Sequence, residues 1–220
     1  MNALVVIKEN SFWEKYTFYG MILWFKGYLY GKSIDQLAYD FQNIDRSEIN
    51  EYLSNLDGNF AFVIERGDLV LAAVDKICST PLFFTKIGKS WTIDSHAPSL
   101  ITKAQINEFN YDAVLALKMS GYTINKDTIY KELKTLISGE CIIFEDNKTP
   151  KRHQYYQYQP WKIKNNTRES YRKELAEVTL NILRKIIKDL HGRQIVIPLS
   201  AGNDSRLIAS GLRYQTRIIA

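Results

Sequence analysis

Residues 1–30 alternate loosely between apolar and polar positions and carry nine aromatic side chains from Phe12 to Tyr30. Aromatic-rich text with a period of two predicts β-strands. The period then changes. Ile34, Leu37 and Phe41, followed by Ile49, Tyr52 and Leu53, stand at helical spacing, so 33–55 is predicted helical. Asp57-Gly58 is a turn signal. After it, 59–65 and 69–74 read as two strands joined at Arg66-Gly67-Asp68, the pattern of a hairpin. Residues 81–85 and 90–94 make a similar pair around Ile87-Gly88-Lys89. Residues 111–119 read as a short helix, and 140–145 as a strand ending in the turn Asp146-Asn147-Lys148.

Residues 146–167 break this rhythm. They hold Pro150, Pro160, the basic cluster Lys148, Lys151, Arg152 and His153, and the run from Tyr155 to Gln159. Such a shift in composition predicts a linker or a crossing between domains. Beyond it, Asn166 with Glu169 three residues later has the form of a capping box. Leu175, Val178, Ile182, Leu183, Ile186, Ile187 and Leu190 then follow the helical period, predicting an amphipathic helix stopped by His191-Gly192. An apolar strand over 194–199, a polar loop, an apolar helix over 205–212 and a β-rich run over 216–220 come last. Strand, helix, strand at this spacing predicts the opening of a parallel α/β sheet. A parallel sheet is covered on both faces, so the second domain is expected to be incomplete in this chain. The expected boundaries are 1–160 and 161–220.

Composition narrows the picture. The chain has 220 residues, 45% hydrophobic and 24% charged, which is globular rather than disordered text. Its longest apolar stretch, 19–25, is far shorter than the roughly 20 residues that span a bilayer. The first residues lack the basic region and cleavage site of a secretory signal. Cys78 and Cys141 are too few for a disulfide framework and read as small core residues. A cytoplasmic protein without a membrane partner is expected. Charge is uneven: residues 165–220 hold ten Lys/Arg against five Asp/Glu, whereas 1–164 hold nineteen of each. The whole excess of +5 sits in the last quarter, which suits either a solvated helix face or an anionic partner such as a nucleotide.

The residues with the clearest chemistry are Ser200, Ala201, Gly202, Asn203, Asp204, Ser205 and Arg206, lodged between the apolar strand and the apolar helix. A polyphosphate needs backbone N–H groups at a helix N-terminus and small residues that let it approach. Ala201 and Gly202 permit the approach, and Ser200 and Ser205 carry hydroxyl donors. Asp204 offers oxygen ligands to Mg²⁺, and Arg206 adds a cation. A plain strand–turn–helix with a polar cap would use many of the same residues. Other chemistry is poorly served. His96, His153 and His191 stand apart from one another, which argues against a zinc site. There is no Walker lysine, no Gly-x-Gly-x-x-Gly and no Gly-x-Ser-x-Gly. Tyr155 to Tyr158 with Lys151 and Arg152 have the makings of a nucleic-acid platform, but a surface crossing accounts for them more simply.

Ser200-x-Gly202-x-Asp204-Ser205 after a strand resembles the pyrophosphate-binding loop of the ATP pyrophosphatase superfamily, whose fuller form is Ser-Gly-Gly-x-Asp-Ser. Upstream blocks narrow the resemblance to the asparagine synthetase family. Leu56-Asp57-Gly58-Asn59-Phe60-Ala61-Phe62 is similar to that family's Leu-x-Gly-x-Phe-Ala-Phe strand. Ala73-Val74-Asp75 with Pro81-Leu82-Phe83-Phe84 resembles its Ala-Arg-Asp…Pro-Leu-Tyr-Tyr segment. Thr128-Ile129-Tyr130-Lys131 with Leu136 to Glu140 resembles its Thr-Ile-Phe…Leu-Pro-Pro-Gly-His segment, and Tyr155-Tyr156 stands where Tyr-Trp follows.

The resemblance implies an N-terminal α/β/β/α sandwich of the N-terminal-nucleophile type, followed by a parallel α/β domain that takes ATP and Mg²⁺. It implies adenylation of a small-molecule or peptide carboxylate, release of pyrophosphate, and capture of the acyl-adenylate by ammonia or a substrate amine. A homodimer is compatible with it, and a nucleic-acid partner is not called for. By carry-over, Ser200, Gly202, Asp204 and Ser205 hold pyrophosphate and Mg²⁺, and Leu199 lies near the adenosine. Ala201 replaces a glycine and puts a methyl group near the phosphates.

The glutaminase half departs from the family. Relatives that hydrolyse glutamine use a cysteine at the mature N-terminus, with its own amine as base. This chain begins Met1-Asn2-Ala3, and the Arg-Gly-Pro and Asn-Gly-Glu blocks are missing, with Phe25-Lys26-Gly27-Tyr28 near the second. No glutamine hydrolysis is therefore expected. In this the chain is similar to β-lactam synthetases and lasso-peptide cyclases. The alternative reading is a non-catalytic scaffold with a vestigial amidotransferase fold.

Overall fold

The computed structural model describes all residues except 1, 2, 9–11, 19, 147, 163, 214–217 and 220. The opening Met1-Asn2 and part of the expected strand at 216–220 lie outside the described residues. Two compact units result, Met1–Tyr158 and Gln159–Ala220.

The first unit holds two sheets. The larger has the order β10-β9-β5-β4-β3-β2, built from Lys151–Gln154, Glu140–Glu145, Leu69–Val74, Gly58–Arg66, Met21–Leu29 and Glu14–Phe18. Its neighbours are antiparallel throughout, and a tight turn joins β4 to β5. The smaller has the order β1-β7-β6-β8, from Leu4–Val5, Ser90–Asp94, Phe83–Ile87 and Lys134–Thr135. Here β1 runs parallel to β7.

Alternation along the central strands decides the layers. On β4, Phe60, Phe62 and Ile64 face one way, into a core with Leu37 and Phe41 of α1 (Ile34–Asn43) and Ile49 and Leu53 of α2 (Ile49–Ser54). Ala61 and Val63 face the other way and meet Phe84 and Ile93 of the smaller sheet, with Trp13 and Trp24 at the margin. The outer face of the smaller sheet is covered by α3 (Ala97–Ala104) through Leu100, Ile106 and Leu133. Helix, sheet, sheet, helix is the result. Both faces of β4 and β5 are buried, which is why 59–74 reads as almost unbroken apolar text. The helix α4 (Tyr111–Ser120) is capped by Asn110, whose side chain accepts from the Ala113 N–H at 3.3 Å.

Two buried carboxylates tie the loops to this sandwich. Asp75, fully buried, accepts the N–H groups of Phe60 (2.9 Å) and Ile77 (2.8 Å), and both the N–H and hydroxyl of Ser79. It thereby shapes the turn that leaves β5. Glu140, also fully buried, accepts two bonds from Arg152 and one from the Ile137 N–H at 3.0 Å, while Lys126 lies 2.9 Å away.

Several expectations need correction here. Residues 151–154, expected as part of a linker, form the edge strand β10, registered against β9 from Lys151↔Ile143 to Gln154↔Glu140. The Arg152–Glu140 pair holds it there, a side-chain signal that periodicity over four residues does not carry. Tyr155, expected in the same crossing, packs against the first core and donates its hydroxyl to the Val74 carbonyl. α3 was not expected: it is eight residues long, with proline in its first turn and one buried side chain, Leu100. A segment that short shows little period.

The second unit contains α5 (Arg168–Leu190), β11 (Ile195–Val196), α6 (Asn203–Leu212) and β12 (Ile218–Ile219). The N-cap of α5 is Thr167, accepting from Ser170 N–H at 3.1 Å, rather than Asn166. Its C-cap is His191 in the left-handed region, followed by Gly192 at φ +81°, as expected of a stop signal. β11 is much shorter than the expected 194–199, because its partner β12 pairs with it only at Ile195↔Ile218 and Val196↔Ile219. That pairing is parallel, so β11-α6-β12 is the expected strand–helix–strand unit. Its core is small: Leu183, Ile197 and Leu212 are buried, whereas Leu175, Val178 and Ile182 of the predicted apolar stripe are exposed. Two helices and a pair of two-residue strands give that stripe little to pack against. Among the described residues, no helix is long and apolar enough to cross a membrane.

Candidate functional site

The loop from Leu199 to Arg206 occupies the crest between β11 and α6. Ser200 and Ser205 pin it: the Ser200 N–H donates to Ser205 Oγ at 3.1 Å, and the two hydroxyls lie 3.2 Å apart. The Gly202 N–H donates back to Ser200 Oγ at 3.2 Å. The chain is thus folded into a tight arch before the helix begins. α6 starts at Asn203, two residues earlier than expected, with Gly202 as N-cap and no side-chain cap bond. The first N–H groups of a helix have no intrahelical acceptor and carry the positive end of its dipole. At α6 no capping side chain takes them, and Asp204 stands in the first turn.

Of the residues expected to bind phosphate, Ser200, Gly202 and Ser205 are brought together by these bonds, and Asn203, Asp204 and Ser205 line the first turn of α6. Arg206 is not directed away from the loop. Its Nε donates to the Gly202 carbonyl at 3.3 Å and its guanidinium to the Ala201 carbonyl, so it braces the arch from behind. Leu199 is half-exposed at 51% and Ala201 is exposed. The methyl group of Ala201 therefore meets open space and does not crowd the arch. The oxygen donors that a Mg²⁺ would find here are the Asp204 carboxylate and the hydroxyls of Ser200 and Ser205. One carboxylate suits a Mg²⁺ that arrives on phosphate oxygens and keeps its waters. Among the described residues, no three His, Cys, Asp or Glu side chains converge on a metal site.

In the first unit neither cysteine is set up as a nucleophile. Burial, with the charges of Asp75 and Glu140, pushes the Cys78 thiol up to about 11. Burial and the Glu140 charge push that of Cys141 to about 12. A thiol so raised is almost wholly protonated at neutral pH. Sequence reasoning missed Asp75, Glu140 and Arg152 as the residues that organise this unit. Asp75 and Glu140 drew notice only as parts of family-like blocks and Arg152 only as one of a basic cluster; nothing local marks the bonds they make.

The first unit is a four-layer mixed α/β sandwich whose larger sheet is antiparallel throughout and whose smaller sheet is mixed. The family model for the glutamine amidotransferase domain matches residues 46–156. That is just over half of the chain, and the chain belongs to this family. No curated protein matches the sequence. Among solved structures, the chain is similar to the glutamine phosphoribosylpyrophosphate amidotransferase from B. subtilis, complexed with ADP and GMP. The identity is 17% over 68% of this chain and 32% of that one, with a TM-score of 0.42. A structure described as the allosteric regulatory enzyme of purine biosynthesis is 15% identical over 90% of this chain and 44% of that one, with a TM-score of 0.41. The chain spans less than half the length of either.

Proposed function

We infer that the whole protein is an ATP-dependent, amide-forming ligase of asparagine synthetase type. In this reading the 199–206 arch binds the polyphosphate of ATP, and the amidotransferase unit does not hydrolyse glutamine. The observation that carries it is the arch itself. Two serines lock a small-residue loop at the uncapped start of α6, directly after a strand that pairs in parallel with the next. Such a cradle suits a chain of phosphates. Ser200 and Ser205 would hydrogen-bond their oxygens, and Asp204 would hold the Mg²⁺ that neutralises them. When bound, that ion supplies charge stabilisation to the leaving pyrophosphate. Arg206, engaged with the loop carbonyls, keeps the arch in shape.

The reaction would run in two steps. A carboxylate oxygen of the substrate attacks the α-phosphorus of ATP, and the bond to pyrophosphate breaks. Ammonia or a substrate amine then attacks the acyl carbon of the adenylate, AMP leaves with the bonding electrons, and the amine gives up a proton.

The test is pyrophosphate release from Mg·ATP by the intact gene product, supplied with aspartate and ammonium. Release that depends on the acid is expected, and Asp204→Ala should slow it by about tenfold or more. Glutamine in place of ammonium should give no glutamate. Pyrophosphate release indifferent to Asp204, or glutamate formed from glutamine, would overturn the corresponding half of the reading.

A further inference from the structure

Two cavities open at the end of the sandwich where β3 and β7 finish. One, of about 550 Å³, is lined by the aromatic residues Phe12, Tyr16, Phe25 and Tyr28 together with polar ones such as Asn59 and Ser79. The other, of about 420 Å³, lies beside Lys8, Trp13 and the turn from Asp94 to Ser99. Phe12 and Lys26 line both. Lys26 is half-buried, with its Nζ 5.4 Å from the centroid of the Phe12 ring, and pairs with no carboxylate among the described residues.

The other charges around the cavities have partners, with one exception. Lys32 is 2.7 Å from Asp40 and also donates to Tyr52. Glu14 takes the Tyr16 hydroxyl. Asp94 is buried and accepts the His96 N–H at 3.1 Å, while the His96 ring is bonded to Ser99. Among the described residues, Lys8 and Lys26 remain without a carboxylate partner, and both are cations. A cation over an aromatic face gains less than one paired with a carboxylate, so the Lys26 ammonium can still gain from an anionic ligand. The volume of the first cavity falls in the range of small-molecule sites, and its walls combine aromatic faces with polar groups, among them Asn59, Ser79 and Thr80.

We propose that the Lys26 junction is a binding site for a small carboxylic acid with an aromatic body. The carboxylate pairs with Lys26 where the two cavities meet, and the ring lies against Phe12 and Tyr28, which share its side of the sheet. This site belongs to the first unit and does not depend on the ligase reading. Its ligand is an acid selected by charge and ring stacking, whereas a glutamine site would select a primary amide.

The test compares three probes on the purified chain by calorimetry and ligand-observed NMR: N-acetyl-L-phenylalanine, its C-terminal amide, and L-glutamine. The acid is expected to bind about tenfold tighter than the amide. Lys26→Met should abolish that preference and Lys26→Arg should keep it. The acid-against-amide comparison on the unaltered protein needs no variant, so a folding defect in Lys26→Met does not shelter the proposal. Equal binding of acid and amide overturns it, as does an affinity for the acid weaker than about 10 mM. Binding of glutamine alone, or a preference that survives Lys26→Met in a folded protein, overturns it equally.

Discussion

Arg152→Met is expected to destabilise the amidotransferase unit by about 3–5 kcal/mol, the usual range for removing one partner of a buried ion pair. Arg152 donates from Nε to Glu140 Oε1 at 2.7 Å and from Nη2 to Oε2 at 2.6 Å. Its Nη2 also donates to the Thr135 carbonyl at 2.7 Å, and the guanidinium lies 5.2 Å from the centroid of the Phe84 ring. One side chain therefore joins β10, β9, β8 and β6. Methionine keeps much of the apolar stem but leaves a fully buried carboxylate with Lys126 as its sole cation among the described residues. Lys126 is half-exposed, so the loss belongs at the lower end of the range. For a unit of this size that is a fall in Tm of roughly 6–12 °C. The double variant Glu140→Gln/Arg152→Met should recover part of it, because no charge is then left buried. Thermal melts of the three variants check the cycle, and a single-variant loss below about 1 kcal/mol would place this pair with ordinary surface bridges.

The same pair sets an acid limit. Burial by itself raises the Glu140 carboxyl, but the bonds from Arg152, the Ile137 N–H and Lys126 outweigh it and hold the group below the ordinary carboxylate range. A carboxyl whose folded pKa is depressed contributes stability that is complete above its unfolded value, about 4.3. That contribution is lost as pH falls through the lower folded value. In Arg152→Met the largest lowering partner is gone and burial is not, so the folded pKa rises. Acid unfolding of the variant should therefore begin at a higher pH than in the unaltered chain, which a melt series from neutral to acid pH would read directly.

Much of this architecture was legible from period alone, and the misses share one cause. The strands at 59–74 were legible because both of their faces are buried. The long helix α5 was legible because its period persists over many turns, although its predicted apolar stripe is largely exposed. By contrast β10, β8 and α3 are short, and each is held by a long-range partner. Arg152 finds Glu140 twelve residues back, Thr135 donates its hydroxyl to the Leu82 carbonyl, and Leu100 packs with Leu133. No local pattern encodes such partners. At the candidate site the residue types of the 199–206 loop were legible as a set. Its internal bonds were not: Arg206, which reads as one more cation for phosphate, spends its guanidinium on the Ala201 and Gly202 carbonyls. Lys26 drew notice only as part of a block near the missing Asn-Gly-Glu, because its place between two cavities is set by the fold.

Gly27→Ala should be about as costly as loss of the buried ion pair, although it adds a single methyl group to an exposed position. Gly27 adopts φ +108°, and a Cβ built there falls 2.0 Å from the Asn59 carbonyl oxygen. The obstacle is backbone from the neighbouring strand, and no side chain can swing aside. Either β3 and β4 part at their ends or the residue changes conformation. Strained backbone contributes about 1–3 kcal/mol and overpacking a similar amount, so a total of about 3–5 kcal/mol is expected. Gly67→Ala is the control. It too has positive φ, +59°, but a Cβ there meets nothing within 4 Å, and its cost should stay near the 1–2 kcal/mol of the left-handed conformation alone. Gly67 lies in the left-handed region that other residues can enter and Gly27 lies outside it, so the gap between their melting temperatures combines the close approach of β3 to β4 with the greater backbone strain at Gly27. Gly27 also sits between Lys26 and Tyr28, which line the first cavity. If the strands part, acid binding at Lys26 should weaken in Gly27→Ala at temperatures where the variant is still folded, and it should be unchanged in Gly67→Ala.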